Sequence, residues 1–141
     1  MVSSSISYTG NNRTHMIRIP DKGRFELRLM DGAVNPYLLQ AGVIAAGLHG
    51  INNKIDPGEP LSCNMYTDHK NYPNLKKLPD IIEDALDQLE NSKEINEAFG
   101  GDTIKSYLKL NRSEIKDFNQ EEKFDKKSSV THWEKNSTLD C

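Results

Sequence analysis

Residues 14–19, THMIRI, and 24–29, RFELRL, alternate polar with apolar side chains, and Pro-Asp-Lys-Gly lies between them. Successive side chains leave opposite faces of a strand, so this alternation predicts two half-buried strands. Pro20 and Gly23 supply turn chemistry, and the pair reads as an antiparallel hairpin. Helical sequence follows at once in NPYLLQAG, with Asn35 suited to the N-cap and Pro36 to the first helical position. Hairpin then helix directs the chain to an α+β fold: antiparallel sheet strands followed by packed helices.

Four segments follow from this reading. Residues 1–34 carry the hairpin. Residues 35–51, rich in alanine and glycine, predict a buried helix that neighbouring backbone could approach closely, with Gly50 as its stop. Its apolar run, YLLQAGVIAAGLHGI, is shorter than the roughly 18 residues of a membrane span. Residues 52–78 hold Pro57, Gly58, Pro60 and Pro73 among many asparagines and predict a long irregular connection. Residues 79–141 are a helical region and tail. In PDIIEDALDQLE, Ile81, Ile82, Ala85, Leu86 and Leu89 share one helical face, with Pro79 and Asp80 at its start. Asp102, after Gly100 and Gly101, is placed to cap a helix in which Ile104, Leu108, Ile115 and Phe118 recur. QEEKFDKK reads as a solvated face, and Trp133 as a packing residue.

Within the hairpin, Arg24, Glu26 and Arg28 point one way, and Phe25, Leu27 and Leu29 point the other, into a core. Pairing brings Arg18 beside that charged row, and Arg13 can overhang the strand end. Residues 13–28 contain five Lys/Arg and two Asp/Glu, whereas the whole chain carries −3. Two readings are open. One is a solvent-facing sheet with cross-strand ion pairs, each contributing about 0–1 kcal/mol. The other is an anion-binding wall. Guanidinium forks bind phosphate in bidentate fashion, and one carboxylate among arginines stays ionised and can hold a hard divalent cation. That set suits phosphoryl transfer, which relies on positioning and on neutralising spread charge.

Other chemistries lack their residues. His15, His49, His69 and His132 show no metal-ligand spacing and read as structural, His15 least firmly because it flanks the arginines. Cys63 and Cys141 match no metal or redox spacing and read as free thiols in a reducing compartment. The acidic balance and the absence of aromatic stacking partners near the arginines argue against nucleic acid.

The motifs NNRTHMIRIP, GRFELRLMDGAVNPYL and AAGLHGI, in that order, resemble the C-terminal part of the glutamine synthetase catalytic domain. The similarity continues through PGEPL and ALDQLENSKEINEAFGGDTIKSYLKLNRSE to VTHWE. The hairpin is most similar to the branch that includes the γ-glutamylmethylamide synthetases. The resemblance implies roles residue by residue. Glu26 is the metal ligand, for Mg2+ or Mn2+. Arg28 contacts the L-glutamate substrate and the transferred phosphoryl group. Arg13 reaches the ATP phosphates and stabilises their transfer, and Arg18 and Arg24 are further ATP-site arginines.

The implied reaction joins ammonia, or methylamine, to the γ-carboxylate of L-glutamate through γ-glutamyl phosphate at the expense of ATP. It also implies a cytoplasmic, ring-shaped homo-oligomer with neither membrane nor nucleic-acid partner. The family's N-terminal β-grasp domain and its other metal-ligand glutamates have no counterpart in these residues. The sequence is therefore expected to be part of a longer enzyme with Met1 an internal or artificial start, and the isolated chain inactive and prone to associate. A different class of reading is a non-catalytic remnant acting as an interaction module.

Overall fold

The hairpin forms, and a third strand joins it. The structure, a computed structural model, describes residues 4–32, 34–121 and 130–138. Strands β1 (Tyr8–Thr9), β2 (Ile17–Asp21) and β3 (Arg24–Leu27) make one sheet in the order β1-β2-β3. β2 and β3 are antiparallel, with Ile17 opposite Leu27, Arg18 opposite Glu26 and Asp21 opposite Arg24. Pro20 belongs to β2 rather than to the turn. It has no N–H for the ladder, and the register slips by one residue between Arg18 and Asp21. The bend is Lys22–Gly23 alone, with Gly23 at φ 78°, where a side chain would be strained. β1 runs parallel to β2, a pairing that two residues of sequence could not announce.

The chain divides into two units. The first comprises Met1–Val34 and Gly50–Ala85, the second Asn35–His49 and Leu86–Cys141. In the first, residues 52–78 are largely the irregular connection expected, held in place by the sheet and carrying two short helical turns. Backbone bonds tie Ile6 to Lys76, Leu78 to Ser4 and Leu61 to Tyr8. A short helix, α2 (Met65–Asp68), follows Asn64, whose side chain caps it, and a 3-10 turn occupies His69–Asn71.

The faces of this sheet are shared as expected, but their burial is reversed. Ser5, Ser7, Thr9 and Arg18, on the polar side, are buried together with His15 and Met65. On the apolar side Ile6 and Ile19 are each 40% exposed and Phe25 is 58% exposed, with Leu27 and Leu29 half-buried. The expectation that Phe25, Leu27 and Leu29 enter a core is corrected accordingly. Within the same unit Ser7 bonds the buried His15 ring and Asn11 the Arg18 guanidinium, whereas Phe25 is left mostly exposed.

In the second unit, α4 (Lys93–Phe99) and α5 (Gly101–Glu121) are joined at Gly100, which sits at φ 79°. Ser92 caps α4 by accepting from the Ile95 N–H at 3.3 Å. α5 begins one residue before Asp102, which lies in its first turn instead of capping it. α3 (Ile82–Asn91) starts after Asp80 and contributes Leu86 to a core with Ile104 and Leu108; Leu89, Ile95, Phe99 and Ile115 pack around it. Ile81, Ile82 and Ala85 are exposed, so only part of the expected apolar face is used. Arg112 on α5 grips the acidic face of α3, reaching Asp87 at 2.9 Å and Glu90 at 2.6 Å. Phe118 meets Trp133 edge-to-face at 5.5 Å, the packing role expected of that tryptophan. Trp133 lies in α6 (His132–Thr138), where Thr131 and Glu134 form a reciprocal capping box.

The glycine-rich helix, α1 (Pro36–Asn52), forms with the expected cap: Asn35 Oδ1 accepts from the N–H groups of Tyr37 and Leu38. It runs past Gly50 to Asn52. Its expected burial is not met, since none of its residues is buried. A Cβ at Gly42 would lie 4.0 Å from the Phe99 ring, but nothing lies within 4 Å of Gly47 or Gly50. The physical reason is that α1 is apolar around its circumference, and the described residues cover only part of it. No helix among the described residues is long and apolar enough to cross a membrane. The reading of QEEKFDKK falls largely, and that of Cys141 wholly, outside the described residues.

Candidate active site

The cross-strand pairing of Arg18 with Glu26 builds the centre of the charged face. Arg18 Nη1 donates to both Glu26 oxygens, at 2.8 and 2.7 Å. Arg24 Nη2, two residues before Glu26 on the same strand face, donates to Oε1 at 2.9 Å. One carboxylate thus joins two guanidinium groups. The Arg18 hydrogen bonds, followed by those of Arg24, hold the Glu26 carboxyl below its ordinary 4.5, outweighing the partial desolvation that would raise it. The other side of Arg18 is held by Asn11, whose Oδ1 accepts from Nε at 2.9 Å and from Nη2 as well. Arg18 is therefore buried and fully engaged, whereas the Arg24 side chain is 64% exposed.

Arg28 lies just beyond β3, tied to the sheet by its N–H to the Met16 carbonyl at 3.0 Å. Its Nε is buried and makes no hydrogen bond. Arg13 is exposed in the turn between β1 and β2. Hydrogen bonds bring Arg18, Arg24 and Glu26 together; Arg28 shares their face by strand parity, and Arg13 stands apart on its loop.

His15 is a structural histidine. Its ring is fully buried, with Nδ1 3.0 Å from Ser7 Oγ and Nε2 2.9 Å from the Cys63 carbonyl. Cys63 is a free thiol. It lies 3.5 Å from Met65 Sδ, and its hydrogen bond with Tyr72 pushes that hydroxyl's pKa up. Asn11 and Asn12 escaped the reading of the sequence. The doubled asparagine before Arg13 was the available signal, because a short amide in a tight turn can reach neighbouring side chains and backbone.

Among the described residues there is no group of three His, Cys, Asp or Glu that could hold a metal ion. Glu26 alone, already bonded to two guanidinium groups, does not constitute a metal site.

Folded stability should report the bound carboxylate. A carboxyl held below 4.5 lends stability that is complete above that pH and is lost as pH falls through its lowered value. Melting Glu26→Gln beside the parent should therefore show the parent more stable at neutral pH, with the gap closing below pH 4.5. A gap independent of pH would remove the ion-pair account.

The comparisons match the chain over nearly its whole length. The family model for the glutamine synthetase catalytic domain matches residues 1–134. The glutamine synthetase of Rhizobium meliloti is 47% identical over 137 residues, which are 97% of this chain and 30% of that protein. The glutamate–methylamine ligase of Methyloversatilis universalis is 38% identical, over 96% of this chain and 29% of its own length. The solved structure of GmaS without ligand superposes with a TM-score of 0.79 at 41% identity, covering 99% of this chain and 31% of that one. GmaS in complex with ADP gives 0.78 at 42% identity, covering 97% and 30%. The chain thus spans about 30% of the length of these relatives. A match running unbroken through the hairpin, the glycine-rich helix and the α4–α5 pair makes this chain a member of the glutamine synthetase catalytic-domain family.

Proposed function

We propose that this chain supplies the arginine wall of an ATP-dependent glutamate–ammonia ligase. The observation that carries the reading is the clasp of Glu26 by Arg18 and Arg24 on the sheet face that Arg28 shares. In the reaction a γ-carboxylate oxygen of L-glutamate attacks the γ-phosphorus of ATP, and ADP leaves. Ammonia then attacks the γ-carbonyl of the acyl phosphate, inorganic phosphate leaves with the bonding pair, and the nitrogen loses a proton to give glutamine. Negative charge spreads over the phosphoryl oxygens in the first step, which is where fixed guanidinium groups stabilise most.

In this reading Arg13 and Arg24 serve the nucleotide, while Arg18, held between Asn11 and Glu26, lends its charge to the ATP site and orients Glu26. Arg28 faces the glutamate and the migrating phosphoryl group. The family resemblance makes Glu26 a ligand to Mg2+ or Mn2+; to serve as one it would have to give up a bond to Arg18 or Arg24, and the other ligands would come from beyond the described residues. Such an ion would supply charge neutralisation at the phosphates. Identical subunits in a ring and a cytoplasmic setting come with the family resemblance.

The test is a graft. Residues 1–134 replace the matched segment of the Rhizobium meliloti enzyme, and ATP-dependent glutamine formation is measured. The graft should turn over, and Glu26→Ala should abolish turnover while the protein still assembles. An assembled graft without activity, or one indifferent to Glu26→Ala, would sink the proposal and favour a non-catalytic interaction module.

Methylamine as the amine is a second reading, favoured by the 38% identity to the methylamine ligase and the likeness to GmaS. A parallel graft into the Methyloversatilis universalis ligase separates the two. Amine preference that follows the chain, whichever host carries it, assigns the choice to these residues; preference that follows the host assigns it elsewhere.

A further inference from the structure

The exposed Arg13 sits in a turn whose other residues are tied down by a segment fifty positions away. Asn12 Nδ2 donates to the Cys63 carbonyl at 2.9 Å, and His15 Nε2 lies 2.9 Å from the same oxygen. A carbonyl oxygen only accepts, so Nε2 carries the hydrogen, and both lone pairs of Cys63 O are used. Met65 N–H donates to Thr14 Oγ1 at 3.0 Å, and Thr14 Oγ1 donates on to Asn12 Oδ1 at 2.9 Å. Asn12 Oδ1 also accepts the Thr14 N–H at 3.0 Å. A polar circuit therefore closes from the Cys63 carbonyl through Asn12 and Thr14 to the Met65 amide, with every donor matched to an acceptor. Tyr66 adds its hydroxyl to the Arg13 carbonyl at 3.4 Å. Behind the loop Ser7 Oγ, 3.0 Å from Nδ1, fixes the buried His15 ring.

We propose that Cys63–Tyr66 is a clamp on the Asn12–His15 turn, and that Asn12 and His15 are positioning residues for Arg13. Three of the four turn residues are anchored by their side chains. The fourth is left facing outward, with only its carbonyl held. A tight turn anchored on both sides of one residue restricts where that residue's Cα can go. Such restriction matters for a guanidinium that must meet a phosphate within a few tenths of an ångström, since a misplacement of about 1 Å costs up to about a hundredfold in rate. The role of Arg13 rests on the function proposed above, and the experiment separates the two claims.

In the Rhizobium meliloti graft, Asn12→Ala, Arg13→Ala and the double variant are compared with the parent. The clamp predicts that Asn12→Ala lowers kcat/KM for ATP by about ten- to a hundredfold. The KM for glutamate should stay unchanged, and Asn12→Ala should cost nothing further once Arg13 is alanine. If Arg13→Ala is damaging but Asn12→Ala is silent, or if their losses multiply, the clamp is overturned and the arginine's role survives. If Arg13→Ala leaves turnover at the parent value, the arginine's role falls and the positioning claim with it.

A measurement on the 141-residue chain stands apart from the graft's ability to assemble. The Met65 amide, which hydrogen-bonds Thr14 and not Asn12, should exchange its hydrogen faster in Asn12→Ala than in the parent. Unchanged Met65 exchange would overturn the clamp directly.

Discussion

Arg28→Ala in the assembled graft is expected to lose about 10²–10³ of kcat/KM, the magnitude typical of removing a preorganised charge-stabilising donor. Just beyond β3, the Arg28 N–H bonds the Met16 carbonyl, so its side chain starts from a fixed point. Its Nε is buried with no hydrogen-bond partner, whereas Arg18 has its guanidinium occupied by Asn11 and Glu26. A buried guanidinium N–H without an acceptor is uncommon in a folded protein and marks a place where a ligand can supply one. Arg28→Lys should recover only part of the loss, because an ammonium keeps the charge and loses the planar fork. Melting temperature should hardly move in either variant. Turnover by Arg28→Ala equal to the parent's, at unchanged stability, would remove Arg28 from the site.

The largest effect on stability is expected at Leu108. It is 4% exposed in the core with Leu86 and Ile104, and truncation to alanine should cost about 2–5 kcal/mol through lost burial and the cavity left behind. Leu110 on the same helix is 60% exposed, and its truncation should fall within about 0.5 kcal/mol of the parent. Amide exchange along α5 reads both variants locally, which matters in a chain of two units. Equal exchange in the two variants would mean that the Leu86–Ile104–Leu108 cluster is not what stabilises α5.

Much of the site was legible because strand parity is strict. Arg18, Arg24 and Glu26 were expected on one face and are bonded there. The Asn35 cap and the break at Gly100 were legible for a similar reason: each depends on a few neighbouring residues; that Trp133 packs was expected, but its partner Phe118 was not. Asn11, Asn12 and the parallel strand β1 were not. Asn11 reaches a guanidinium seven residues on, Asn12 a carbonyl fifty-one residues on, and β1 is two residues long. None of these leaves a periodic trace.

Residues 24–29 by themselves determine which side chains travel together, since a tetrahedral Cα in an extended backbone must alternate its faces. They do not determine which face is buried. Tertiary structure decided that: Ser7 and the Cys63 carbonyl hold the buried His15 ring, Asn11 and Glu26 hold the buried Arg18, and Phe25 is left mostly exposed. Burial depends on whichever distant segment can satisfy the groups it covers. Here a polar face found its hydrogen-bond partners within the chain, and the buried Arg18 is held between Asn11 and Glu26.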